Sequence, residues 1–295
     1  MDIGMVLQLD SGGGRVPTYQ EVRALAQHAE REGLDALWLY DHLLFRGDGA
    51  PNGQWECMTM LGAIAEATSR VRIGTLVNCV AFRNPGVLAK IATALDEISG
   101  GRFVLGLGSG WNAGEFDAFG LPFDHRVDRF EEALQIIVPL VRTGVADFAG
   151  RYHQAHDCHD LPRGPRPNGP PIMLGAFGPR MLRLAARHAD IINTTWPPAD
   201  YAAQRSALDA ACADEGRDPA TLKLTATPWV AFPDLGAVPP HMHEAPFADA
   251  AAVAVQFATY HAAGVAEIMV DLRPNTPAAV TRLAEAVHQF RGTLG

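Results

Sequence analysis

Apolar and polar positions alternate along the chain in blocks that predict strands and helices in turn. Eight short runs are almost continuously apolar, which is typical of strands buried on both faces. Between them, apolar residues recur three or four positions apart, as in Val87, Leu88, Ile91, Leu95 and Ile98, which predicts amphipathic helices. The eight predicted strands cover residues 3–9, 36–40, 71–77, 103–107, 172–175, 190–194, 222–231 and 267–271.

This repeated order of strand and helix predicts an α/β protein, a closed (β/α)8 TIM barrel that forms a single domain over residues 1–295. The alternative, a doubly wound open sheet, usually shows a G-x-G-x-x-G turn after its first strand. The glycines at 12–14 lack that spacing and lead to Pro17. Two stretches, 144–171 and 232–248, exceed ordinary connector length and predict insertions in the barrel.

Functional groups of such a barrel lie in the loops that follow its strands. The second predicted strand ends in Asp41 and His42, which places a titratable imidazole at the barrel mouth. His42 could donate a proton there or bind a cofactor ring. The alternative is a loop histidine that is satisfied by the backbone, and position alone leaves both interpretations open.

Two glycine-rich turns follow the fourth and fifth predicted strands. The first contains Ser109 and Gly110, and the second runs from 175 to 178 and leads into Pro179. Small residues let backbone N–H groups approach an anion closely, and a proline is well suited to the first position of a helix. Two such turns on successive strands predict a phosphate site.

A second cluster of polar side chains lies in the first insertion, where His153, His156, Asp157, Cys158 and His159 stand close together. Its spacing fits no common metal-binding pattern. We therefore predict a polar surface hairpin and no metal site.

Composition and net charge limit the classes of binding partner that the protein can have. Hydrophobic residues make up 48% of the chain and charged residues 19%, which predicts a globular protein with a large core. The net charge of −9 argues against nucleic acid or an anionic membrane as a partner, because both require a basic surface. A small-molecule substrate is the remaining expectation.

Cellular location is predicted from what the sequence lacks. The first residues show no secretory signal, and no apolar run has the length of a membrane span. The four cysteines are far apart, which suits free thiols in a reducing compartment. These features predict a cytoplasmic protein.

The sequence resembles the luciferase-like monooxygenase superfamily, and within it the branch of oxidoreductases that depend on the deazaflavin coenzyme F420. The resemblance spans nearly the whole chain and implies a barrel of the bacterial-luciferase-like type. The motifs that carry it lie at residues 38–42, 71–77, 82–85, 95–102, 106–112, 171–175 and 182–190.

The resemblance also implies roles for particular residues. It puts His42 beside the reactive carbon of the deazaflavin and Asp41 in contact with its ring, as the catalytic pair. It implies a non-proline cis peptide bond at Leu76–Val77, against the back of the ring. The cofactor-binding residues that it implies, with the phosphate at the last six, are Leu76, Val77, Asn78, Ser109, Gly110, Gly175, Ala176, Phe177 and Gly178.

One position departs from the branch. Its sugar-phosphate dehydrogenases carry a catalytic glutamate immediately after the glycine-rich turn of strand four, where this chain has Trp111. Their substrate is therefore not expected here, and Glu115, one turn further on, is the candidate replacement for that glutamate.

The resemblance implies an enzyme, a homodimer as its relatives often are, and hydride transfer between F420 and a small organic substrate. An FMN-dependent monooxygenase on the same barrel is the alternative. A flavin-binding relative without turnover is a third interpretation, and the presence of Asp41 and His42 argues against it.

Overall fold

The computed structural model describes residues 1–10, 15–45, 51–195, 198–239, 242, 247 and 249–294. The glycines at 12–14 and much of the predicted insertion at 232–248 lie outside these residues. The strands are β1 (Asp2–Val6), β2 (Ala36–Leu39), β3 (Leu44–Phe45), β4 (Asn52–Gly53), β5 (Arg72–Thr75), β6 (Asn78–Cys79), β7 (Phe103–Gly108), β8 (Val145–Ala149), β9 (Gln154–His159), β10 (Ile172–Gly175), β11 (Ile191–Thr194), β12 (Lys223–Ala226), β13 (Trp229–Ala231) and β14 (Glu267–Arg273).

Eight of these strands form a closed parallel barrel, so the predicted (β/α)8 fold is confirmed. Their order around the barrel is β1, β2, β5, β7, β10, β11, β12 and β14. Strand β14 pairs with β1 as well as with β12, and these pairings close the sheet. Each of the eight predicted strands corresponds to one barrel strand, although the run at 222–231 is divided, because Thr227 and Pro228 separate β12 from β13.

Helices surround the barrel, and side-chain caps define several of their starts. Thr18 and Glu21 form a capping box at the first helix. At the third helix, Asn84 precedes Pro85 and its side chain accepts from the backbone N–H groups of Gly86 and Val87. The helices are α1 (Tyr19–Arg31), α2 (Cys57–Ala67), α3 (Pro85–Ile98), α4 (Ala113–Ala118), α5 (Arg126–Thr143), α6 (Pro179–His188), α7 (Tyr201–Asp214), α8 (Ala250–Ala262) and α9 (Pro277–Gly292). Within the described ranges, no helix has the length and apolarity that crossing a membrane would require.

The core has two layers. The larger layer lies between the strands and the helices, and the smaller one fills the barrel with Val6, Trp38, Val104, Met173 and Met269 among others. The indole of Trp38 fits inside because Gly4 and Gly74 have no side chain to meet it. The barrel is therefore a packed core with its open end at the carboxyl ends of the strands.

The first predicted insertion is an antiparallel hairpin of β8 and β9, as expected for a polar surface element. The carboxylate of Glu132 on α5 accepts hydrogen bonds from the backbone N–H groups of Arg151, Tyr152 and His153. The tip of the hairpin is thereby attached to the outside of the barrel.

Candidate active site

His42 and Glu115 meet at the open end of the barrel. Helix α4 follows β7 and carries Glu115 back over the end of β5 to the end of β2. His42 Nδ1 lies 3.0 Å from Glu115 Oε1, and Oε2 accepts from the Leu43 N–H at 2.9 Å. The glutamate is only 1% exposed, so the pair is shielded from bulk solvent on its carboxylate side.

This contact selects one tautomer of the neutral His42 imidazole. A carboxylate oxygen only accepts, so His42 Nδ1 is the donor in the pair. Among the described residues, none makes a hydrogen bond to Nε2, which is therefore the nitrogen left for a ligand. The ring is flanked by Phe45 at 4.5 Å and by Trp111 at 5.5 Å between centroids, and Trp111 is 66% exposed.

Asp41 points to the other side of the same strand end. Its carboxylate receives Arg83 Nη1 at 2.6 Å and Nη2 at 3.0 Å, and the Cys79 N–H at 2.9 Å. Burial raises the pKa of Asp41, while Arg83 and the Cys79 N–H oppose that change. Arg83 also bonds Glu56 at the start of α2 and Asn78 in β6. Asp41 thus holds the end of β2 against the loop after β5, and a contact with a cofactor ring stays a prediction.

The expected cis peptide bond is present between Leu76 and Val77. It lies at the end of β5, and the Val77 side chain crosses toward the neighbouring strands. A Cβ atom on Gly108 would come within 2.6 Å of Val77 Cγ2, and one on Gly175 within 3.1 Å. The two glycines make room for Val77, which gives the barrel mouth an apolar floor.

The first predicted phosphate turn is only partly open. A Cβ atom on Gly110 would meet Cys79 Sγ and the Phe116 ring at 2.7 Å, so this glycine serves packing. Gly175, in the second turn, likewise accommodates Val77, so packing accounts for both glycines, and their part in phosphate binding stays a prediction. Ser109 differs, because its hydroxyl makes no hydrogen bond with any described residue.

The second predicted phosphate turn has more free space. Gly178 has a φ of 78°, a Cβ atom added to it would meet nothing within 4 Å, and Pro179 begins α6 directly after it. Ala176 is buried and its N–H bonds the Asn193 carbonyl, whereas Phe177 is 54% exposed. Because β7 and β10 pair, Ser109 and Gly178 follow neighbouring strands, and their role in phosphate binding stays a prediction.

The histidine-rich hairpin does not form a compact ligand set. Over the described ranges, no group of three or more His, Cys, Asp or Glu side chains is arranged to hold a metal ion. His159 Nε2 lies 2.9 Å from Asp157 Oδ1 on the exposed face of the hairpin.

A polar network inside the mouth was not predicted. Asp271 accepts from Tyr40 at 3.0 Å, from Gln8 Nε2 at 2.8 Å and from Arg273 Nε at 3.2 Å. Tyr40 directly follows β2, Gln8 lies in the loop after β1, and Asp271 and Arg273 belong to β14. The signal in the sequence was that three of the four alternate positions on one face of β14 are charged, namely Glu267, Asp271 and Arg273, while the fourth is Met269.

Comparison with known proteins identifies the family. The model of the luciferase-like monooxygenases matches residues 1–235, and the chain therefore belongs to this family of oxidoreductases. The barrel, its cis peptide bond and the strand-end histidine agree with the resemblance seen in the sequence.

Two curated relatives indicate how diverse the family is. The chain is 30% identical over 242 residues to the pyrimidine monooxygenase RutA of Bradyrhizobium sp., a match that covers 74% of this chain and 65% of the relative. It is 33% identical over 230 residues to the phthiodiolone/phenolphthiodiolone dimycocerosates ketoreductase of Mycobacterium tuberculosis, which covers 70% of this chain and 60% of that protein. The matches thus leave more than a third of each relative's length uncovered.

Solved structures share the fold. An F420-dependent secondary alcohol dehydrogenase in complex with an F420-acetone adduct superposes with a TM-score of 0.83 at 19% identity, covering 98% of this chain and 99% of that one. A riboflavin lyase with modified FMN superposes with a TM-score of 0.80 at 16% identity, covering 99% and 92%. Neighbours of both cofactor types therefore have this architecture.

Proposed function

We propose that this chain is an F420-dependent oxidoreductase that transfers a hydride between the deazaflavin and a small organic substrate at the barrel mouth. The observation that carries the proposal is the His42–Glu115 pair, which leaves Nε2 of a shielded imidazole without a partner among the described residues. Such a group is suited to hold or deliver the proton that accompanies hydride transfer to a carbonyl.

The residues present fit a flat, phosphate-bearing cofactor. Val77 forms an apolar floor on which a tricyclic ring would rest, with His42 at its edge. The hydroxyl of Ser109 and the open turn at Gly178 are the groups that would hold its phosphate, at the start of α6. The site thus offers an apolar face, a proton-carrying group and an anion subsite in one opening.

The cofactor, when bound, supplies two-electron hydride chemistry, since its ring has carbon where a flavin has the central nitrogen. The protein supplies the rest. His42 Nε2 moves the proton, and Glu115 stabilises the imidazolium that forms when Nε2 is protonated. Asp41 and Arg83 hold the strand end that carries His42, so the imidazole keeps its orientation.

A second candidate is an FMN-dependent monooxygenase. The match to a pyrimidine monooxygenase over 74% of this chain favours it. His42 and Glu115 would serve equally as an acid–base pair in that reaction, so the site alone does not separate the monooxygenase from the F420-dependent oxidoreductase.

The relative named as a ketoreductase, at 33% identity, instead supports the first candidate, because its name describes the reduction of a carbonyl group.

The deciding experiment is titration of the purified protein with F420 and with FMN under the same conditions. We expect F420 to bind more tightly, as measured by ring fluorescence and by the rise in melting temperature that a ligand of the folded state produces. Micromolar binding of FMN without detectable binding of F420 would reject the proposal in favour of the monooxygenase. Binding of neither cofactor would reject both.

A further inference from the structure

Exposed aromatic side chains are confined to one side of the barrel. Within the described ranges, every Phe, Trp or Tyr side chain that is largely exposed lies in a segment that connects the carboxyl end of a barrel strand to the next long helix. These residues are Trp55, Trp111, Phe119, Phe177 and Trp229. The large aliphatic side chains of similar exposure lie instead on α3 or α8, in the first insertion or at Leu294. Scattered exposed aliphatic residues are ordinary, whereas aromatic residues gathered around one opening indicate a binding surface.

Trp111 is the member of this group that contacts His42. The two ring centroids are 5.5 Å apart and the planes meet at 78°, so the contact is edge to face. Trp111 is 66% exposed, which leaves most of the indole surface uncovered by the protein. Phe45 packs on the same imidazole, with its centroid at 4.5 Å. Two aromatic rings therefore flank the proposed proton carrier, and the larger one keeps a free surface.

Hydrogen bonds fix these rings relative to one another. Asn112 Nδ2 donates to the Leu44 carbonyl at 3.0 Å, and Glu115 Oε2 accepts from the Leu43 N–H at 2.9 Å. The segment that carries Trp111 is thereby joined to the segment that carries His42 and Phe45. The aromatic groups are in place before any ligand binds, so little ordering is left to oppose binding.

The chemistry of these rings indicates what they bind. Aromatic pairs are more favourable than their buried area alone accounts for, because the edge of one ring is attracted to the face of another. A ring that packs on the free surface of Trp111 lies beside the imidazole, since the indole and the imidazole are in contact. A carbonyl group attached to such a ring would then be close to Nε2.

We propose that Trp111, together with Phe45, binds an aromatic ring of the substrate next to its reacting carbonyl, so that the substrates are aryl ketones and aldehydes or the corresponding alcohols. This assignment rests on the proposed function, because it takes His42 to be the proton carrier. Trp111 is a specificity-determining residue in this arrangement. It selects the group beside the reacting carbon and takes no part in moving the proton.

The test is a titration of the ¹⁵N-labelled protein with acetophenone, followed through the indole Nε1–H resonance of Trp111. That resonance is assigned by its absence in Trp111→Phe, or in Trp111→His if the first variant does not fold. Cyclohexyl methyl ketone, which has the same carbon skeleton without the aromatic ring, is the matched probe. We expect acetophenone to move the resonance saturably, with a dissociation constant on the order of 1 mM. The cyclohexyl ketone should bind about threefold to tenfold more weakly.

Two controls accompany the titration. The Nε1–H resonance of Trp38 should not move, because this indole is fully buried and donates to Glu267 at the closed end of the barrel. Phe119→Ala changes a similarly exposed ring at the carboxyl end of α4 and should bind acetophenone as the wild-type protein does. Trp111→Ala should bind it about tenfold more weakly by ligand-observed NMR. Equal affinity for the two ketones, or no response of the Trp111 resonance, overturns the proposal even if the variant does not fold.

A titration with F420 separates this inference from the proposed function. If F420 binds, moves the Trp111 resonance and excludes acetophenone, the aromatic surface belongs to the cofactor and the assignment to substrate is wrong. Binding of acetophenone alongside F420 supports both proposals. If F420 does not bind but acetophenone does, the proposed cofactor fails while the aromatic subsite stands.

Discussion

The two ends of the barrel both contain charged side chains, but they use them differently. At the amino ends of the strands, Glu267 accepts from Trp38 Nε1 at 3.2 Å and lies 3.1 Å from Arg72, which also bonds Asp2 at 2.8 Å. At the mouth, the contacts of His42 leave Nε2 without a hydrogen-bond partner among the described residues.

The difference separates charges with a structural role from those that are candidates for function. A buried carboxyl group is tolerated when its neighbours supply hydrogen bonds and an opposite charge, as Trp38 and Arg72 do for Glu267 at the closed end. Incomplete pairing at the mouth lies where barrel enzymes bind their ligands. Charge and burial alone therefore do not single out a candidate functional residue here, and the role proposed for His42 rests on an unused nitrogen that faces an opening.

The largest effect is expected from His42→Ala. Loss of a positioned proton carrier should slow hydride transfer by about 10²–10⁴-fold while F420 binding changes little. Stopped-flow measurement with reduced F420 and a turned-over substrate gives the rate, and fluorescence titration gives the affinity. Glu267→Gln, at the closed end, is the control and should keep the rate. Equal loss of binding and rate would make His42 a residue that merely positions the ring.

The next largest effect is expected from Glu115→Ala, which should lower the free energy of unfolding. It removes the acceptor for His42 Nδ1 and for the Leu43 N–H inside a buried contact, which should cost about 2–4 kcal/mol of unfolding free energy. Glu115→Gln keeps one of the two accepting oxygens, while its NH2 group cannot accept, so it should recover only part of that loss. In the wild-type protein, ¹⁵N NMR should show that neutral His42 carries its proton on Nδ1. A majority of the Nε2–H tautomer would contradict the hydrogen bond from Nδ1 to Glu115.

The closed end should show a pH dependence of its own. Burial raises the pKa of Glu267 from 4.5 to about 7, so between these values the folded protein keeps a proton that the unfolded chain has lost. Stability should therefore fall as the pH rises through this window, by at most about 3 kcal/mol from this group. Chemical denaturation from pH 4.5 to 8 should show that the unfolding free energy of Glu267→Gln depends less on pH than that of the wild-type protein. Identical slopes for the two proteins would contradict the attribution of this pH dependence to Glu267.

Gly178→Val should have the smallest effect, on cofactor binding. Its φ of 78° disfavours valine, and the same holds for Gly216, at 65°, which has equally open surroundings at the other end of the barrel. Both variants should lose about 1 kcal/mol of stability. Only Gly178→Val should also lose part of the rise in melting temperature that F420 produces. An equal loss in Gly216→Val would contradict the assignment of the cofactor phosphate to the turn at Gly178.

The sequence by itself determined the barrel and the position of its opening. Near-continuous apolar runs separated by amphipathic helices leave few ways to cover a parallel sheet, and the carboxyl ends of the strands then meet on one side. His42 could be singled out for the same reason, because Asp41 and His42 directly follow an apolar run.

The partners of those residues were decided by the tertiary structure. Periodicity reports which side chains are buried, but not which neighbours they meet, so His42 and Glu115, which are 73 positions apart, pair only once β2, β5 and β7 are side by side. The glycines show the same limit. Gly175 and Gly178 look alike in the sequence, yet one accommodates Val77 and the other faces open space.

The polar network around Asp271 depends on closure most of all. Gln8 and Asp271 are 263 positions apart, and they meet because β14 pairs with β1. Alternation along β14 determined that Arg273 faces inward, a local property of any strand. Which acceptors its guanidinium meets is a property of the closed barrel, where Asp271 accepts from Nε and Asp10 Oδ1 lies 4.0 Å from Nη1.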